Sequence, residues 1–409
     1  MPQRFIWFVA GLTVAAGFGF MGTLPAIVDY VVIGGGLVGL VCAVVQRDAV
    51  LGARASLMLC LALALLLVSV PLVYRGPIDL LPFFAAAPLL AAPGIAWLLS
   101  RSTFWLKPDC MPLLCLFGAV SAAGLGVLDH VVAGTPRVGL GNNPIHYGGI
   151  VTILGFLALP GAAAGSGRWR LLYLLGPVAG FAAVMVSGSR GPLLAWIVLA
   201  VLCFPLLLLS LKRRKLVLMA AGAMLVVFAI LVVWAGDSLL GARIVDMAQA
   251  AINAGASSPW GYFSGLVAGT DAARLALYDT AIHAFRLSPL FGIGYGQIMP
   301  LAHGLYPDLK ALHGLEHLHS DAANFAAIAG SLGLIAFVLV QFSPLAALHG
   351  AAPRRNIALL MSVLVLAIGY LALGLTNAMF GVLPQTTLFA LALGYVMALG
   401  RNVSRASST

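Results

Sequence analysis

His319-Ser320-Asp321-Ala322-Ala323-Asn324-Phe325 runs without a break into Ala326 to Ala329 and then Gly330-Ser331-Leu332-Gly333. A polar stretch passes directly into an apolar helix. The pattern is His-Ser, nine residues, Gly, two residues, Gly. Upstream lies a long, mostly polar loop, and downstream a membrane span. An imidazole at that join stands at the water–lipid boundary, where it can titrate and still reach a lipid-anchored substrate. The plain alternative is a histidine that caps a helix and snorkels at the interface. Two arginine motifs, taken up below, weigh against it.

Outward from this stretch the chain is apolar almost throughout. Of its 409 residues 62% are hydrophobic and 8% charged, and the mean hydropathy is +1.07. Such a composition predicts a polytopic membrane protein. A bilayer-crossing helix needs about 20 apolar residues, and runs of that kind fall at 5–22, 26–45, 55–74, 80–99, 112–132, 147–163, 169–186, 192–211, 216–234, 320–345, 356–375 and 384–400. The expected fold is therefore all-α, with about 12 transmembrane helices. Residues 1–234 carry the first nine, 235–319 form one large, partly helical loop, and 320–409 carry the last three. The first span begins at Phe5 and is followed at once by others, which argues against a cleaved signal peptide.

Orientation follows from Lys and Arg. With a cytoplasmic N-terminus, 15 of the 22 basic residues fall on or beside the inner face. The other seven are Arg75, Arg137, Arg190, Arg243, Arg274, Arg286 and Lys310. Lys212-Arg213-Arg214-Lys215 lies between two spans and reads as a stop-transfer anchor, so the net charge of +10 reflects membrane anchoring and not nucleic acid. The long loop then lies on the outer face. Asp271 to Leu287 reads as a helix, with Leu275, Tyr278, Ile282 and Phe285 at helical spacing, ended by Pro289 and Gly292, Gly294 and Gly296. No internal repeat appears, nor the paired broken helices of many transporters.

Among the outer basic residues Arg190 is the most telling. It sits in Ser187-Gly188-Ser189-Arg190-Gly191-Pro192 between two spans. Small residues let backbone approach a ligand, Pro192 suits a first helical turn, and a guanidinium fork matches phosphate oxygens. The segment lacks the Gly-x-Ser-x-Gly nucleophile elbow, so no serine nucleophile is assigned. Arg274 opens the loop helix, one turn after Asp271 and one turn before Tyr278; a surface Asp–Arg pair is the bland reading. Arg286, near the helix end, also suits the dipole alone. Arg137 lies in a turn-rich outer loop, Thr135 to His146, suited to a sugar or to an ordinary turn.

His313, His317 and His319 with Glu316 invite a metal reading, but no His-Glu-x-x-His motif is present and the reading ranks low. Asp129, beside His130, is a boundary residue before it is a proton relay. Cys42, Cys60, Cys110, Cys115 and Cys203 lie in or beside apolar runs and form no disulfide framework.

These features together resemble the bacterial O-antigen ligase and polymerase superfamily. The architecture matches over nearly the whole chain. The motifs that carry the resemblance are Ser187-Gly188-Ser189-Arg190-Gly191, Arg274 followed by Pro289 to Gly296, His319-Ser320 with Gly330 and Gly333, and Asn143-Pro144-Ile145. Tyr278 stands where the family pattern has leucine, which leaves Arg286 open as the alternative loop arginine. The resemblance implies a multi-pass protein of the bacterial inner membrane with its site facing the periplasm. The implied reaction moves a polysaccharide from undecaprenyl diphosphate to a lipid A-core acceptor, inverting, with no metal or cofactor. His319 would be catalytic, and Arg190, Arg274, Arg137, Arg286, Ser189 and Tyr278 would bind substrate. Partners would be the lipid-linked donor, the acceptor and membrane lipids, with no nucleic acid.

Two further readings stand beside this one. A polymerase or a protein O-oligosaccharyltransferase of the same superfamily would share the motifs. One long loop carrying both Arg274 and His319, with no appended soluble domain, favours the ligase. A lipid-linked sugar transporter would place charges in mid-span along a path, whereas here they gather at span ends and in one loop.

Overall fold

The computed structural model describes residues 2–164, 168–210, 222, 272–349 and 356–408. The expected ninth span at 216–234, the Lys212–Lys215 anchor, Asp271, Arg243, Arg354 and Arg355 lie outside the described residues. The protein is an all-helical, polytopic membrane protein. Among the described residues eleven helical segments are long and apolar enough to cross a membrane, and each coincides with an expected span to within three residues at either end. No strand occurs among the described residues.

The helices are α1 (Gln3–Phe20), α2 (Pro25–Val45), α3 (Arg54–Val73), α4 (Leu81–Ala86), α5 (Ala91–Ser100), α6 (Cys110–Val132), α7 (Pro144–Ala164), α8 (Leu175–Ser187), α9 (Arg190–Ser210), α10 (Ala272–Leu287), α11 (Ile298–Leu305), α12 (Asp321–Ala346), α13 (Ile357–Leu364), α14 (Tyr370–Gly374) and α15 (Leu383–Ser408). Helix α7 is apolar on every face and is the central one, packed among α6, α8, α9 and α13. Its glycines permit this: a Cβ on Gly155 would come within 2.3 Å of the Gly176 carbonyl oxygen on the neighbouring chain segment. At the end of the bundle remote from His319, Asp48 accepts from Arg101 and Arg401, each at 3.1 Å, joining the α2–α3 loop to the ends of α5 and α15.

Among the described spans that read as continuous helices, the eleventh carries a π-helical stretch, Val365–Gly369, between α13 and α14, and two others are more deeply interrupted. The fourth alternates short 3-10 and α segments over Pro77–Ser100, where Pro82 and Pro88 remove backbone donors. The tenth, α12, breaks at Ala329 and Gly330, whose dihedrals are non-helical. The backbone groups freed there are met by the extended segment that follows α10. Ile293 and Gly294 donate to the carbonyls of Ala327 and Ile328 at 2.8 and 3.2 Å, and Ser331 donates to the Pro289 carbonyl at 2.8 Å. A broken helix at membrane depth is tolerated where protein satisfies its backbone in this way.

That exchange fastens the long loop to the bundle. Beyond it the described part of the loop has its own small core of Ala276, Leu277, Ala281, Ala284, Ile298, Ala302, Leu312 and Leu318, which closes onto Ala327 of α12. On its far side Gly296 donates its amide to buried Asp79 at 2.8 Å, and Asp79 also accepts from the Arg75 amide. The described part of the loop is thus a packed cap, and its helix α10 is held at a set height over the bundle.

Candidate functional site: a cationic chamber at the end of the bundle

A chamber of about 340 Å³ lies between the cap and the bundle. Arg137, Ser189, Arg190, Arg274 and His319 all line it, together with Thr376 and several small or apolar residues. Among the described residues that line it, none is acidic. Three guanidinium groups facing one small volume without a carboxylate make a strongly anion-seeking site.

Each arginine arrives by a separate device. Helix α8 ends at Ser187, and Gly188 turns the chain with φ +61, a conformation glycine adopts without strain. Helix α9 starts two residues later, so Arg190 projects from its first turn. Arg137 lies over this turn. Its Nε donates to the Ser187 carbonyl and its Nη2 to Ser189 Oγ, both at 3.3 Å, and the Val138 amide donates to the Val186 carbonyl at 3.0 Å. Ser189 therefore braces Arg137 from a buried position. Arg274 comes from the first turns of α10 in the cap.

His319 sits at φ +52, a left-handed conformation uncommon for a residue with a side chain. It turns the chain from the cap into α12, whose first residue is Asp321. Its Nδ1 lies 2.9 Å from Asn377 Oδ1, and its backbone N–H donates to His317 Nδ1 at 3.2 Å. The His317 and His319 rings are 4.3 Å apart. Burial, with His319 and His146 nearby, pushes the His317 imidazole down to about 3, so it is neutral. The Leu318 amide donates to Asn324 Oδ1, which fixes the same turn from below.

Two expected substrate ligands stand elsewhere. Tyr278 Oη donates to the Leu375 carbonyl at 3.0 Å and so braces the loop after α14 instead of lining the chamber. Burial pushes its phenol up, and Arg274 partly offsets this. Arg286 is exposed near the other end of α10, about 18 Å along the helix from Arg274 at 1.5 Å per residue. Of the two loop arginines, Arg274 is the one that faces the chamber. The three histidines do not converge. His313 packs against His303 with ring centres 5.7 Å apart, and among the described residues no three His, Cys, Asp or Glu side chains meet at metal-binding distance. Asp129 accepts from Thr135 Oγ1 at 3.1 Å at the end of α6.

Sequence reasoning missed Thr376 and Asn377. They follow the end of a span, where Leu-Thr-Asn reads as an ordinary helix boundary. No spacing signal ties Asn377 to His319, 58 residues away.

The multi-pass helical bundle thus carries at one end a cationic chamber that His319, hydrogen-bonded to Asn377, helps to line. Residues 175–338 match the O-antigen ligase family model. The match runs from α8 through the cap into α12 and includes Arg190, Arg274 and His319. That stretch is similar to the O-antigen ligase family, which implies glycosyl transfer on lipid-linked polysaccharides. No curated protein matches the chain.

Proposed function

We propose that this protein transfers a preassembled polysaccharide from undecaprenyl diphosphate to a lipid A-core acceptor on the periplasmic face of the bacterial inner membrane. The observation that carries the reading is the meeting of Arg137, Arg190, Arg274 and His319 in one chamber at the end of the helical bundle.

The donor diphosphate takes the arginine side. Its negative charge grows as the glycosidic C–O bond breaks, and preorganised guanidiniums stabilise that growth most where water is excluded. The acceptor hydroxyl takes the His319 side. As it attacks the anomeric carbon, its proton passes to the imidazole. The new C–O bond forms on the face opposite the leaving diphosphate, so the configuration inverts without a covalent intermediate. The bonding electrons leave with undecaprenyl diphosphate, and the imidazolium returns its proton to solvent. The scheme needs no metal or cofactor, because guanidiniums meet the charge that a divalent ion would otherwise neutralise.

The lipopolysaccharide profile of a deletion strain tests the reading. Loss of the high-molecular-weight ladder, with polymer retained on undecaprenyl diphosphate, is expected. Absence of polymer altogether would make the protein a polymerase. Complementation with His319→Ala should leave the ladder missing, since loss of a general base costs about 100-fold or more. His313→Ala, away from the chamber, should restore it.

A further inference from the structure

We propose that Asn377 is the positioning residue for His319, holding its imidazole as the Nδ1–H tautomer from a loop that also sets the places of Arg190 and Arg274; this rests on the reading of His319 as general base.

The contact itself is specific. Asn377 is buried, and its Oδ1 lies 2.9 Å from His319 Nδ1. An amide oxygen only accepts, so Nδ1 carries the hydrogen and Nε2 carries the lone pair that takes a proton. In a neutral imidazole this choice decides which nitrogen is the base.

A carboxylate stands nearby but is used for something else. Asp321 is buried two residues beyond His319. Its Oδ1 accepts from the amides of Met379 and Phe380 at 2.8 and 3.1 Å, so it anchors the loop that carries Asn377. Gly374 gives it room, since a Cβ there would lie 2.4 Å from Asp321 Oδ2. A carboxylate on Nδ1 would raise the imidazole pKa and favour the cation, as in acid–histidine pairs. The amide orients the ring without that effect. Titratable and charged groups near His319 include the His317 ring, His146 within electrostatic reach and the three arginines of the chamber.

The same loop touches the other site elements. Thr376 packs so closely on the start of α9 that a Cβ on Gly191 would lie 2.3 Å from its Oγ1, which fixes the loop beside Arg190. Leu375 accepts from Tyr278, one helical turn after Arg274. One loop therefore registers the base, the α9 arginine and the cap arginine against each other, which accounts for Tyr278 as well.

The test is release of undecaprenyl diphosphate by the full-length enzyme in lipid vesicles, measured against pH for wild type, Asn377→Ala, Asn377→Asp and His319→Ala, with melting temperature as a folding check. Asn377→Ala should lose about 10- to 100-fold in kcat, the range of a misplaced base, with donor KM within about twofold of wild type, as expected when only transition-state interactions are lost. Asn377→Asp keeps shape and charges the partner. It should stay active, with its acidic limb moved to higher pH by about one unit, the lower end of carboxylate effects. If His319→Ala is inactive while Asn377→Ala keeps its kcat, or while the Asn377→Asp profile overlays wild type, the positioning role is wrong and the general base stands. If His319→Ala is active, the underlying reading falls first.

Discussion

The amide of Ile293 donates to the carbonyl of Ala327 at 2.8 Å, a bond between the cap and the second turn of a membrane span. It exists because α12 gives up its own bonds at Gly330. With φ +59 and ψ −139 this residue lies in a region that other residues rarely enter. The bond couples the height of the cap, and so of Arg274, to the helix that begins beside His319.

Alanine at Gly330 or Gly292 should therefore break the docking. A Cβ at Gly330 would lie 2.6 Å from the Leu290 carbonyl carbon, and one at Gly292, with φ +73, would lie 2.4 Å from that of Ile328. Backbone strain alone costs about 1–3 kcal/mol, and the clash adds to it. Melting temperature and yield in detergent should fall for both variants. Gly304→Ala, where a Cβ meets open space, is the control and should be mild. Equal stability of Gly330→Ala and Gly304→Ala would remove this account of the break.

Arg190→Lys should lose about 10- to 100-fold in transfer rate although the charge is kept. A hydrogen bond to a charged group contributes about 1.5–3 kcal/mol, and an ammonium cannot reproduce the two-pronged geometry of a guanidinium on phosphate oxygens. Transfer assays on purified protein decide this. A near-normal rate in the lysine variant would mean that Arg190 supplies only a general positive field.

The spans were legible because a bilayer leaves the chain little choice: about 20 apolar residues must cross it as a helix. Arg190, Arg274 and His319 were legible because polar groups at span ends stand out against an apolar chain. The break at Gly330 was not, since a glycine in an apolar run also fits close helix packing, and the partner that satisfies the break lies in a segment read only as a turn. Tyr278 and Arg286 lie away from the chamber lining, which the sequence did not reveal, for a related reason. Both share a helix with Arg274, and periodicity alone does not say which positions of a cap face inward. Arg137 and Asn377 fall outside the matched stretch and meet the site only through folding.

Orientation, read from the charge pattern, is open to direct test. Lys310 is exposed in the cap and Arg54 is exposed at the opposite end of the bundle. Ser320 is buried and makes a poor reporter. In a background lacking the five native cysteines, cysteine at 310 should react with an impermeant reagent added to the periplasm, and cysteine at 54 only after the membrane is opened. Labelling of both from one side would reverse the reading of the termini as cytoplasmic.

Acid should loosen the site through His317. Its Nδ1 accepts the His319 amide at 3.2 Å, so it is held unprotonated at that nitrogen. Its folded-state value of about 3 lies below the ordinary 6.5 because burial penalises the cation, with His319 and His146 adding to this. The sign follows directly. Above pH 6.5 neither the folded nor the unfolded chain binds the proton, and the stability is fully present. As pH falls toward 3 the unfolded chain takes a proton that the folded chain refuses, so folding weakens by about 1.4 kcal/mol per pH unit. At pH 5 the loss from this residue alone approaches about 2 kcal/mol. His317→Gln keeps an acceptor for the His319 amide but has nothing to titrate. Melting curves of the two proteins in detergent should lie close together at pH 7.5 and separate by pH 5, with wild type falling further. Curves that stay parallel over that range would show that His317 titrates as a solvated imidazole and that burial does not hold it neutral.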